Sequence, residues 1–133
     1  DKMSKSRGNV IYADELAKII GVDGVRYYLL AEMPYAQDGT ITYERVFDLF
    51  NSDLANTLGN LVNRTIAMTQ KYFGGKVPEA RQFDALDSQL ADAAQAAKTQ
   101  MIEKLDAFRC ADALAAVFAL AKRANKYIAE TEP

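Results

Sequence analysis

Histidine and tryptophan are absent from all 133 residues, and cysteine occurs once, at Cys110. Without histidine, neither Ser-His-Asp nor Cys-His nucleophilic catalysis can be built from this chain. One cysteine rules out an internal disulfide, and with no histidine beside it a Cys/His zinc site fails as well, so no metal ligand is expected. A single thiol fits a reducing compartment, and the expected location is the cytoplasm. No apolar run approaches the ~20 residues a membrane-spanning helix needs, and the start has no signal-peptide pattern, so no membrane partner is expected. An excess of positive charge is missing too. Sixteen Lys and Arg against eighteen Asp and Glu leave a net charge of −2. That balance argues against a sequence-blind nucleic-acid binder, yet leaves room for a small amide-rich site that reads one RNA loop. Position 1 is Asp rather than Met, and a charged motif precedes any regular element, so the chain reads as an excised piece of something larger.

What remains is helical. Half the residues are hydrophobic and 26% are charged, as in an ordinary globular domain. After a polar stretch ending in Gly8-Asn9, Leu16, Ile19 and Ile20 recur at helical spacing, and Gly21 is placed to end that helix. Val25, Tyr28, Leu29 and Leu30 mark a second short helix, stopped by Pro34. Thr42 is placed to cap a long helix running to about Phe73, with Tyr43, Phe47, Phe50, Leu54, Leu58, Leu61, Met68 and Tyr72 as its apolar line. Gly74-Gly75 ends it, and Pro78 keeps the next stretch extended. Further helices are expected from about Asp84 to Phe108 and from about Ala111 to Glu130, the latter with Leu114, Val117, Phe118, Leu120 and Ala121 inward. Alanine enrichment between residues 91 and 121 signals helix propensity and close helix packing. The predicted fold class is all-α, an antiparallel helix bundle. Cys110, amid apolar positions, reads as a small core residue.

Two constellations carry chemistry. The first is Lys2-Met3-Ser4-Lys5-Ser6, a cationic, hydroxyl-rich strip. Ammonium groups, hydroxyls and loop amides suit a polyphosphate whose charge moves onto its leaving group; a solvated basic loop has the same composition. The second is on the long helix. Asn56, Asn60 and Arg64 lie at i, i+4 and i+8, one stripe beside the apolar line, with Asn51 and Asn63 on neighbouring faces. Asparagine costs roughly half a kcal/mol against alanine in a helix, so several together need a reason. They either cap and bridge neighbouring helices, or face water, or reach the edges of unstacked RNA bases.

The strip is identical to the KMSKS signature of class I aminoacyl-tRNA synthetases, and Gly8-Asn9-Val10 matches its usual continuation. "GVDGVRYYLLAEMPYAQDGTIT", "DLANTLGNLVNRT" and "NKYIAETEP" resemble, in order and spacing, the C-terminal part of the methionyl-tRNA synthetase family. The resemblance implies a layout: residues 1–40 as the KMSKS loop and helical stem-contact element, and residues 41–133 as an anticodon-binding helix bundle. That bundle is expected to be incomplete, since the family continues past Pro133 with a tryptophan and further helices. The implied activity of the whole enzyme is activation of methionine by ATP, with Mg2+, followed by transfer to tRNA(Met). Lys5 is implied to hold the triphosphate, Lys2 to assist, and Met3, Ser4 and Ser6 to complete the ATP-binding loop. Asn60 and Arg64 are implied to contact the anticodon, with Asn56 a further position. The partner loop of KMSKS is His-Ile-Gly-His, which a histidine-free chain cannot supply, so the piece alone is expected to be inactive. The truncated bundle is expected to self-associate. The competing readings are a non-catalytic helical RNA-binding module and a piece of another class I synthetase. The roles of Arg26 and of Tyr27, Tyr28 and Tyr35, by default packing for the tyrosines, stay open.

Overall fold

A computed structural model of the chain describes residues 3–4, 10–32, 39–79 and 83–132. Lys2, Lys5, Ser6, Gly8, Asn9, Pro34 and Tyr35, and with them the loop expected over residues 1–10, lie wholly or mostly outside the described residues. Every regular element among the described residues is helical: α1 (Ala13–Glu32), α2 (Tyr43–Leu49), a π-helical segment (Phe50–Gly59), α3 (Asn60–Phe73), α4 (Ala85–Asp106) and α5 (Cys110–Thr131). None is long and apolar enough to cross a membrane. The all-α expectation holds.

The two short helices expected before residue 34 are the two halves of α1. They meet at Gly21, whose φ of 78° and ψ of 159° break the helical path. Only glycine takes that conformation cheaply. Leu16 lies before the kink and Val25 and Tyr28 beyond it; together with Val46 of α2 they make one buried cluster. Ile19, Leu29 and Leu30, also expected on the apolar side, are exposed. The cluster therefore joins residues on both sides of position 40. Tyr28 reinforces it by donating from its hydroxyl to the Thr40 carbonyl at 3.3 Å. A bidentate pair closes the same corner: Arg45 Nε and Nη2 donate to the Glu32 carboxylate at 3.0 and 2.9 Å.

Thr42 caps α2 as expected, accepting from the Arg45 amide at 3.2 Å, and the helical path then runs unbroken to Phe73. It is not a uniform α-helix. Ten residues, Phe50–Gly59, close their hydrogen bonds in the π register. The Thr57 hydroxyl reports the change: it donates to the Ser52 carbonyl five residues back, whereas Thr65 and Thr69 donate to carbonyls four back. The predicted apolar line is partly inward: Phe47, Phe50, Leu54, Leu61 and Met68 are half-buried, while Tyr43, Leu58 and Tyr72 are exposed and Val46 and Thr57 are the buried positions. Gly74, left-handed at φ 59°, ends α3.

Asp84 caps α4 through a capping box with Asp87. The short turn Ala107–Arg109 then folds α5 back along α4. Ala97 of α4 and Ala113, Phe118, Ala121 and Ile128 of α5 are buried. Val117, expected inward, is 38% exposed, and Cys110 is the half-buried first residue of α5 rather than a core residue. α5 is also the element that meets α1, the π segment and the start of the rod's second half.

Candidate functional site

Of the cationic strip, only Met3 and Ser4 fall among the described residues; Met3 is exposed and Ser4 half-buried. The expectations for Lys2, Lys5 and Ser6 lie outside them.

The amide constellation is on the rod. Asn60 is the first residue of α3, and Arg64 follows one turn later on the same α-helical stripe. Asn60 is exposed and Arg64 half-buried. Among the described residues, neither side chain has a hydrogen-bond or ion-pair partner, so both present unspent donors to solvent. Asn56 is exposed as well, but it lies inside the π segment. Asn51 and Asn63 are exposed too.

Two clamps that periodicity alone did not single out hold the π segment beneath this pair. Tyr27 of α1 donates its hydroxyl to Asp53 Oδ2 at 2.7 Å, and its ring packs on Phe118 of α5 with centroids 5.0 Å apart. Burial, then the bond to Asp53, pushes the Tyr27 phenol well above its ordinary range. Lys122 of α5 approaches Asp53 at 4.0 Å. These side chains rim a cleft of about 240 Å³ between α1, the π segment and α5, floored by Leu49, Leu114 and Phe118. The second clamp is Asn125 of α5, whose Nδ2 donates to the Thr57 carbonyl at 2.9 Å. One signal for it was legible: Ala121, Asn125 and Ile128 share one helix face, so the amide sits among inward positions.

Of the open positions, Arg26, Tyr27 and Tyr28 are among the described residues, and Tyr35 lies outside them. Arg26 pairs with Asp23 at 3.4 Å on the surface, a contact of little energetic weight. Tyr27 and Tyr28 pack and hydrogen-bond within the fold rather than offering free rings.

Residues 1–66 match the family described as tRNA synthetases class I (M). Over 133 residues, 99% of this chain, the sequence is 47% identical to the methionine–tRNA ligase of Oceanobacillus iheyensis. It is 44% identical over 132 residues to that of Caldanaerobacter subterraneus subsp. tengcongensis. The chain spans only about a fifth of those relatives' length, 20% and 21%. Among solved structures, Mycobacterium tuberculosis methionyl-tRNA synthetase in complex with methionyl-adenylate superposes with a TM-score of 0.93 at 39% identity. That match covers 99% of this chain and 26% of the other. The free-state form of that enzyme gives 0.88 at 36% identity, over 93% and 25%.

Proposed function

Because the chain belongs to the methionyl-tRNA synthetase family, we propose that it works as a part of a methionine–tRNA ligase acting in the cytoplasm. In this reading residues 1–40 supply the ATP loop and a stem-contact element, and residues 41–133 supply an anticodon-binding helix bundle. The observation that carries it is a chain-long likeness to such ligases in which Asn60 and Arg64 stand one turn apart, with donors turned to solvent.

The chemistry divides between the two ends. Lys5, with Lys2 beside it and Met3, Ser4 and Ser6 around it, meets the triphosphate of ATP, taken up with Mg2+, as charge develops toward pyrophosphate. Such a contact accelerates the step only by being stronger in the transition state than in the bound substrate. Asn60 offers an amide that both donates and accepts, and Arg64 a fork of donors, to the edges of splayed anticodon bases. Asn56 is a further, flanking contact. Methionine and ATP are bound with a catalytic domain that carries the His-Ile-Gly-His loop, so the 133-residue chain by itself gives no methionine-dependent ATP–pyrophosphate exchange.

Alanine at Asn60 or Arg64 in the full-length ligase tests the reading. Each change should weaken tRNA(Met) use by ~1–3 kcal/mol, the usual weight of a base-reading contact. Methionine-dependent ATP–pyrophosphate exchange, which needs no tRNA, should stay intact. Equal losses in both assays would reject base reading in favour of misfolding.

A further inference from the structure

Asn125 lies on the inward face of α5, between the buried Ala121 and Ile128. An amide there is costly unless something inside needs it. Its Nδ2 reaches the Thr57 carbonyl across 68 residues of sequence, while its Oδ1 is buried with no partner among the described residues. The orientation of the amide follows from that contact, since a reversed amide would set oxygen against oxygen. An orphaned acceptor offsets much of what the bond contributes, so the pair is a weak source of stability. What it does supply is a fixed point.

Thr57 is where the register is decided. Its hydroxyl holds the Ser52 carbonyl in the π pattern, and its own carbonyl accepts from both the Asn60 amide and Asn125. Asn60 is the first residue beyond the switch back to α. A π turn holds more residues than an α turn, so rewinding the segment to α would rotate everything downstream about the helix axis. Asn60 and Arg64 would then face elsewhere.

We propose that Asn125 is a positioning residue for the anticodon reader: gripping the Thr57 carbonyl from α5, it sets the face on which α3 presents Asn60 and Arg64. This rests on the anticodon-reading role given above to those two residues, and it adds a residue on another helix that acts through them.

Asn125→Leu in the full-length ligase is the test. It keeps the side-chain volume while removing both the donor and the orphaned acceptor. The expected result is a KM for tRNA(Met) raised about tenfold, with ATP–pyrophosphate exchange within twofold of wild type and no fall in the thermal midpoint. Combined with Asn60→Ala it should add less than its full effect, because only the Arg64 contact is left for it to displace. If Asn125→Leu leaves the KM for tRNA unchanged while Asn60→Ala raises it, positioning is overturned and anticodon reading survives. If neither variant moves that KM, the underlying reading fails and positioning falls with it. A joint loss of exchange, thermal midpoint and tRNA use assigns Asn125 to general stability, which also overturns the proposal.

Discussion

The Tyr27 hydroxyl and the Asp53 carboxylate meet at 2.7 Å, joining α1 to the π segment across 26 residues. The tyrosine ring lies against Phe118 of α5, so one side chain ties three elements at the base of the rod. Tyr27→Phe keeps the ring contact and removes only the bond. It should destabilise the chain by about 1–2 kcal/mol, the lower part of the range for hydrogen bonds to charged groups, since both groups are partly solvated. Urea unfolding of the two proteins at pH 7 measures it.

The same bond predicts an alkaline limb. The folded Tyr27 phenol is held above its ordinary value of 10.0, first by burial and then by Asp53. In the unfolded chain it ionises near that ordinary value, so its contribution is fully present below pH 10 and is lost as pH rises toward the folded value. The stability gap between wild type and Tyr27→Phe should therefore be constant from pH 7 to 9 and should shrink by pH 11. Tyr28, whose phenol is also raised by burial, is common to both proteins and cancels in the difference. A gap that widened at pH 11 would contradict the assignment.

An acid limb is expected at the other end of the molecule. Asp87 accepts from the Tyr127 hydroxyl of α5 and from the Asp84 amide, and these bonds, the tyrosine's first, hold its carboxyl below the ordinary 3.8. A depressed folded value means the contribution is present above pH 3.8 and disappears as pH falls below it. Thermal melts followed by circular dichroism between pH 5 and 2 should show wild type losing its advantage over Asp87→Ala. The variant removes the tie to α5 but leaves Asp84 to cap the Leu86 amide.

At the opposite end of the proposed function, Lys5→Ala in the full-length ligase should slow methionine-dependent exchange by about 10²-fold, the usual loss when one donor to a developing charge is removed. The KM for ATP should change far less, because the contact matters most once charge has moved. Binding of tRNA(Met), measured by filter retention without ATP, should be unaltered. A large rise in the KM for ATP alone would make Lys5 a ground-state binder.

Much of this was legible because local chemistry and global packing agree. Gly21, Thr42, Gly74 and Asp84 each stand where a kink, cap or stop is required, and each does that job. Alanines in α4 and α5 foretold close helix packing, and Ala97, Ala113 and Ala121 are buried. The π segment was not legible. A 3.6-residue template assigns Leu58 inward, yet within the π segment it is Thr57 that is buried and Leu58 that is exposed. No propensity marks a π register, and the side chains that touch the segment, Tyr27, Lys122 and Asn125, lie 26 to 69 residues away from their partners in it.

Gly59 closes the π segment, and a side chain there would crowd the backbone. A Cβ at this position would stand 3.1 Å from the Leu54 carbonyl oxygen, five residues back. That obstacle is main chain, and it cannot swing aside as the end of a side chain can. In an ordinary helix interior Gly→Ala is worth up to ~1 kcal/mol of stabilisation. Gly59→Ala should forfeit that gain and lower stability by about 1 kcal/mol, as overpacking against fixed atoms does. The alternative is that the segment rewinds to α, which would rotate Asn60 and Arg64 away from their present face. Hydrogen exchange separates the two outcomes: strain speeds exchange across residues 54–60, whereas rewinding protects them. Either outcome should weaken tRNA(Met) use in the full-length ligase. A more stable Gly59→Ala protein with unaltered tRNA kinetics would show that the register does not govern where the amides point.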